Sequence, residues 1–196
     1  MLSYDESLKI LKETSALLEG HFILSSGLHS NKYVQCAKLL SYPKKAEIIC
    51  TALTEKIKNN FNKINIVLSP ALGGIVVGYE IGKQLNTQTI FAERSNNKLV
   101  LRRGFAIPQD SNVLIVEDVI TTGKSAIECS EIVKINKANL IGFACVIDRS
   151  DNNVLIKEKI VSQIKFNVAI FKEDELPDKL KKIPVIKPGS RNISND

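Results

Sequence analysis

The chain has 196 residues, 44% of them hydrophobic and 24% charged, with a net charge of +6 and a pI near 9.1. That length suits one domain with a real buried core, and no apolar run approaches the length of a membrane span. A basic balance suits nucleic acid or small polyanions alike, but the lysines are spread out and no aromatic residues interleave with them, so a nucleic-acid surface is not expected.

The N-terminus, MLSYDESLKILKETS, mixes acids, lysines and leucines, unlike a signal or transit peptide. Cys36, Cys50, Cys129 and Cys145 lack CxxC spacing and a neighbouring His pair, which predicts buried free thiols in a reducing cytoplasm. Asp5 to Leu18 has helical spacing, with Gly20 as its stop. GHFILSSGLHSNKYVQC then reads as paired strands or an irregular hood. Tyr42-Pro43 starts a second helix, in which Ala46, Ile49, Leu53 and Ile57 share a face.

From there the rhythm is regular. Strands are predicted at Ile64–Ser69, Thr87–Glu93, Val113–Asp118 and Leu140–Asp148, with a fifth at Asn167–Phe171. Helices are predicted from about Gly74 to Leu85 and from Ser125 to Ile135. Continuous β-branched runs alternating with helices give the fold class: α/β, with a central, mainly parallel sheet flanked by helices. One domain is expected over 1–196, with a hood over about 1–42, a core over about 43–187 and a loose polar tail over 188–196. Residues 94–110 break the rhythm, and the Ser95-Asn96-Asn97 turn signal suggests a ribbon-like, flexible flap.

The central stretch VLIVEDVITTGKS (Val113–Ser125) ends like a nucleotide P-loop. A P-loop, however, needs glycine five positions before Gly123, where this chain has Asp118. The loop instead leaves the carboxyl end of a buried strand, where open α/β sheets bind ligands. Thr121 to Ser125 offer hydroxyls and backbone N–H groups at a helix N-terminus, which is a seat for phosphate. Glu117 and Asp118, just before it, suit ribose hydroxyls or a magnesium shell. The whole reads as a holder for a ribose 5-phosphate. The plain alternative is a strand ending in solvated acids, followed by an ordinary helix cap.

VLIVEDVITTGKS resembles the phosphoribosyl-diphosphate (PRPP) motif of type I phosphoribosyltransferases. Three further stretches resemble orotate phosphoribosyltransferases in particular: HFILSSGLHSNKYVQC, similar to the family's hood; SPALGG (Ser69–Gly74), similar to its diphosphate loop; and VIDRS (Val146–Ser150). The resemblance implies that PRPP is bound by Glu117, Asp118, Val119, Ile120, Thr121, Thr122, Gly123, Lys124 and Ser125, with Ala71, Leu72 and Gly73 forming the diphosphate loop. It implies orotate binding by Thr121 and Arg149. A guanidinium fork suits the carboxylate and flat polar ring of orotate, whereas adenine or hypoxanthine offers it no such partner. A strand-end arginine paired with Asp148 or Asp151 is the plain alternative there.

The flap resembles the family's mobile catalytic loop, with Arg94 and Lys98 as its catalytic, diphosphate-facing cations and Arg102 and Arg103 adding charge. Alternatively the four cations are a solvated surface run. The chain departs from many relatives at Ser25 and Gly73, where they carry lysine, and at Val100, near a common histidine. His29 is a candidate helper in the hood, and His21 a structural residue.

The resemblance implies Mg²⁺-dependent transfer of ribose 5-phosphate from PRPP to orotate in pyrimidine biosynthesis. Magnesium would be held mainly by PRPP and water near Glu117 and Asp118, with no direct protein ligand. A homodimer is implied, with Lys98 acting across its interface. A purine phosphoribosyltransferase and a non-catalytic PRPP-binding regulator are the alternatives.

Overall fold

The computed structural model describes residues 2–24, 26–151 and 154–188. Ser25 and the tail expected beyond Pro188 lie outside them. Helix α1 (Tyr4–Glu13) opens on a capping box: the Ser3 hydroxyl accepts the Glu6 N–H, and the Glu6 carboxylate accepts the Ser3 N–H at 2.8 Å. The helix ends at Glu13, short of the predicted Leu18. Ser15 turns left-handed, at φ 56°, and Leu17–Ile23 becomes strand β1. Gly20 therefore lies inside a strand rather than at a helix end. Strand β2 (His29–Val34) pairs antiparallel with β1, as the hood reading expected.

A short helix α2 (Cys36–Leu40) leads into α3 (Pro43–Asn60), which carries its proline in the first turn, where no N–H is needed. Ala46, Ile49, Leu53 and Ile57 of α3 are all buried, as their spacing predicts. Five parallel strands follow: β3 (Ile66–Pro70), β4 (Gln88–Ser95), β6 (Asn112–Ile120), β7 (Asn139–Asp148) and β8 (Ile160–Lys165). Strand β5 (Lys98–Leu101) turns back antiparallel on β4, giving the order β5-β4-β3-β6-β7-β8. Helices α4 (Gly73–Leu85) and α5 (Lys124–Ile135) connect strands.

The strands are apolar throughout because both faces are covered. Val67, Leu114, Val116, Ala144 and Val146 point into one core, with Leu53 and Ile57 of α3 and Val77 and Ile81 of α4. Their alternating neighbours Leu68, Ile115, Phe143 and Cys145 point into the other, with Ala126, Cys129 and Val133 of α5. All four cysteines are buried free thiols, as expected.

The predicted fifth strand is corrected. Strand β8 closes the sheet, and Ile170–Phe171 (β9) instead joins the hood, pairing with β2. Ser162 and Gln163 interrupt the apolar run of β8 and hide it in the sequence. The Gln163 side-chain amide donates to the Ser7 hydroxyl of α1 at 2.9 Å, and Lys56 of α3 donates to the backbone carbonyls of Ser162 and Gln163. Past a single 3₁₀ turn (Glu173–Glu175) and the short α6 (Asp178–Lys181), β10 (Val185–Ile186) flanks β1. The hood sheet thus runs β10-β1-β2-β9, drawing two strands from the C-terminal segment.

Two buried histidines fasten this hood. His21 Nδ1 lies 3.1 Å from the Ile183 carbonyl, and its Nε2 lies 2.7 Å from His29 Nδ1. A carbonyl can only accept, so His21 Nδ1 carries a proton, and the neutral ring then accepts from His29 Nδ1–H. Replacing His21 by leucine is expected to cost about 1–3 kcal/mol, because buried partners lose their hydrogen bonds. Amide exchange at Val185 and Ile186 should quicken in that variant; unchanged exchange there would show that the pair does not hold β10.

Candidate active site

The carboxyl ends of β3 and β6 open into a cleft of about 250 Å³, lined by Pro70, Ala71, Gly73 and Gly74, by Glu117 to Val119 and by Thr121 to Ser125. Two helices begin on it. Helix α4 starts at Gly73 and α5 at Lys124, and neither has a side chain capping its first turn. Uncapped helix N-termini present free N–H groups and the positive end of the helix dipole, so the cleft has two anion seats. The α5 seat coincides with the predicted 5-phosphate loop, and the α4 seat with the predicted diphosphate loop of Ala71, Leu72 and Gly73. In that loop the Ala71–Leu72 peptide is cis, and the Ala71 N–H donates to the Ala92 carbonyl of β4 at 2.7 Å.

Gly123 makes the α5 turn possible. It adopts φ 78°, and a Cβ there would stand 2.8 Å from Ile156. Behind the turn, the Thr122 carbonyl accepts the Leu155 N–H at 3.0 Å, which fixes the loop from below. Thr121, Thr122 and Lys124 remain exposed to the cleft side, while Ile120 is buried and anchors the strand end.

Between the two seats lie Glu117 and Asp118. Burial pushes Glu117 up to about 8, with the neighbouring Asp118 charge adding to the effect. Burial also raises Asp118, partly offset by N–H groups of its own backbone and of Val119. Gly73 approaches Asp118 so closely that a Cβ would sit 2.7 Å from both carboxylate oxygens. A side chain at position 73 would require the Asp118 carboxylate to shift.

Register brings together Thr121 and Arg149, the two residues expected at a base site. Ile120 of β6 pairs with Asp148 of β7, so Thr121 and Arg149 leave adjacent strands side by side. The Arg149 N–H donates to the Ile120 carbonyl at 2.8 Å. Its side chain is half-buried, and the buried Nε has no hydrogen-bond partner among the described residues. Burial lowers the guanidinium pKa, and Tyr33 of the hood strand β2 opposes that shift. Asp148 is occupied elsewhere: its carboxylate takes the Ser150 N–H at 2.8 Å and the Lys165 ammonium at 2.9 Å. The sequence did not single out Tyr33 or Lys165; no linear spacing links either to Arg149.

The flap is a hairpin, β4 to β5, turned by Asn96 and Asn97, both left-handed at φ 48° and 63°. The paired ribbon expected from Ser95-Asn96-Asn97 is therefore present, and residues beyond Leu101 are irregular. Its cations do not all stand free. Glu93 takes Arg103 at 3.1 Å and lies 3.8 Å from Arg102. Glu128 of α5 takes both terminal nitrogens of Arg94, at 3.0 and 3.3 Å. Lys98 is exposed and has no ion pair among the described residues. Glu93 and Glu128 were missed in the sequence because Glu128 lies 34 residues from its partner.

Comparison with known proteins agrees with this geometry. A family model described as a phosphoribosyl transferase domain matches residues 40–176. An orotate phosphoribosyltransferase of Caldicellulosiruptor saccharolyticus is 46% identical over 186 residues, spanning 95% of this chain and 96% of that protein. Another, from Caldicellulosiruptor bescii, is 44% identical and spans 97% of this chain and 99% of its own length. Among solved structures, the orotate phosphoribosyltransferase of Aeropyrum pernix superposes with a TM-score of 0.71 at 22% identity, covering 81% of this chain and 92% of that one. Cleft, loops and near full-length similarity lead to one conclusion: the chain belongs to the phosphoribosyltransferase family, among the orotate phosphoribosyltransferases.

Proposed function

We infer that the protein transfers the 5-phosphoribosyl group of PRPP to orotate, giving orotidine 5′-monophosphate and diphosphate, a step of pyrimidine biosynthesis. The observation that carries this reading is the pair of uncapped helix N-termini opening on one cleft, with the Glu117–Asp118 pair between them. In the reaction the anomeric carbon loses its bond to the diphosphate oxygen and gains one to N1 of orotate, which gives up its proton. No protein nucleophile is required. The α5 turn from Thr121 to Ser125 holds the 5-phosphate, and Ala71 to Gly73 at the start of α4 receive the diphosphate. Glu117 and Asp118 accept hydrogen bonds from the ribose hydroxyls. Arg149, beside Thr121, directs its unpartnered donor to the orotate carboxylate. A purine offers no carboxylate to that donor.

Magnesium fits these residues. Among the described residues no cluster of three or more His, Cys, Asp or Glu could hold a metal alone, so substrate oxygens and water would hold it beside the two buried carboxylates. When bound, it would act as a Lewis acid on the leaving group. Lys98 and Arg94 would stabilise charge on the departing diphosphate.

We place the enzyme in the cytoplasm as a homodimer. Support for the dimer comes from Leu72, Val76 and Tyr79, exposed by 84%, 50% and 66% at helical spacing along α4, the helix that starts at the diphosphate seat. A partner seated on that stripe would bring its own flap lysine near the neighbouring site. Tyr79→Arg should convert the dimer to a monomer by light scattering and abolish most turnover; a fully active monomer would contradict the shared site.

Incubation with Mg²⁺, PRPP and orotate should consume orotate, while adenine and hypoxanthine in its place should not be consumed. Arg149→Met should lower kcat/KM for orotate roughly 10- to 100-fold, the worth of one charge-assisted hydrogen bond, and leave the KM for PRPP nearly unchanged. An equal loss toward both substrates would remove Arg149 from the base site.

The acid pair makes a separate pH prediction for the ligand-free protein. The folded pKa of Glu117 lies above its usual 4.5, so the folded state keeps a proton that the unfolded chain loses. Its stability is intact below pH 4.5 and falls as pH rises toward about 8. Glu117→Gln should therefore melt several degrees above wild type at pH 9, with the gap closing toward pH 5. A gap that does not vary with pH would contradict the buried-acid assignment.

A further inference from the structure

Glu93 and Glu128 both neutralise flap cations, but their contacts differ in kind. Glu93 meets two exposed arginines from within the same segment. Glu128 reaches over from α5 and holds the hairpin itself. One of its oxygens accepts from Arg94 Nη1 at 3.0 Å and from the Leu99 backbone N–H at 3.3 Å, while the other accepts from Arg94 Nη2 at 3.3 Å. Arg94 and Leu99 are cross-strand partners of the β4–β5 ladder. A single carboxylate therefore grips both strands at once, one pair below Ser95 and Lys98.

The position of Glu128 gives this grip a use. It lies one helical turn beyond Lys124, where α5 begins at the proposed 5-phosphate seat. The helix that would hold one end of PRPP is thus tied directly to the flap that would close over the other end. Donor counting supports a role compatible with binding. A guanidinium has five N–H groups; the Asn97 carbonyl takes one at 2.7 Å and Glu128 takes two. The remaining donors can meet an anion while Glu128 stays in place.

We propose that Glu128 is the positioning residue of the flap: it aims Arg94 at the diphosphate and fixes the hairpin over the phosphate seat without touching substrate. The inference rests on the reading that Arg94 meets the diphosphate. Glu128→Gln retains an acceptor for the Leu99 N–H but loses the charge and places an amide against Arg94, so it tests orientation with little threat to folding.

In the full-length enzyme, Glu128→Gln should lower kcat/KM for PRPP about tenfold and weaken binding of magnesium diphosphate in calorimetry, with the KM for orotate within about twofold of wild type. Glu128→Asp should fall between the two. In an Arg94→Ala background, the Glu128→Gln change should add less than about twofold, because its effect passes through Arg94. Wild-type kinetics in Glu128→Gln beside an impaired Arg94→Ala would overturn this inference alone. So would tighter diphosphate binding, which would make Glu128 a competitor for Arg94, or losses that multiply in the double variant. A wild-type Arg94→Ala would overturn the reading beneath it, and the inference with it.

Discussion

Two adjacent carboxylates at the end of one strand, Glu117 buried and Asp118 half-buried, set the terms for the rest of this cleft. Glu117 and Asp118 are both raised by burial, and among the described residues neither has a lysine or arginine salt bridge. Such a pair is costly in an empty cleft, because each ionised form loses hydration without gaining a counter-charge. It becomes favourable beside ligand hydroxyls and a ligand-borne cation. The surroundings follow from that constraint. Gly73 lets the backbone approach the Asp118 carboxylate, which a Cβ there would meet at 2.7 Å. Two helix starts without side-chain caps open beside the pair and add positive potential without a second set of buried charges.

The same economy of charge appears around the cleft. The flap arginines have carboxylate partners, which leaves Lys98, beside the hairpin turn, as the flap cation without an ion pair among the described residues. At the end of β7, Asp148 is engaged by Lys165 and the Ser150 N–H rather than by Arg149, the residue beside it in sequence. Pairing one set of charges locally leaves another set available for ligands. The hood, whose two central strands are joined by the His21–His29 contact, brings Tyr33 toward Arg149.

Much of this was legible in the sequence because the signals are local. VLIVED is a run that must be buried on both faces, and a strand ending in acids before a small, hydroxyl-rich turn is a strand-to-helix ligand loop. The strands β3, β4, β6 and β7 and the helices α3, α4 and α5 follow from periodicity within one or two turns. Errors arose where tertiary contacts override the local pattern. Leu17 and Leu18 continue the spacing of α1, yet Ser15 breaks the helix and they pair with β2. Strand β8 contains Ser162 and Gln163, which break its apolar pattern; the Gln163 amide N–H meets the Ser7 hydroxyl of α1, a contact no local spacing shows. Ile170 and Phe171 are apolar enough for a core strand but serve the hood. Glu128 illustrates the general limit: an acid on an amphipathic helix looks solvated until the fold carries the flap to it.

The most direct test of the acid pair's role is proton release on ligand binding. Titration of magnesium PRPP into the protein at pH 7, repeated in buffers of different ionisation heat, counts the protons exchanged. With Glu117 near 8 it is largely protonated before binding, and a ribose and cation beside it favour the ionised form. The expected result is that wild type releases nearly one more proton per site than Glu117→Gln, an order-of-magnitude count from linkage. Equal proton release by the two proteins would contradict the assignment of this buried pair to the sugar and its cation.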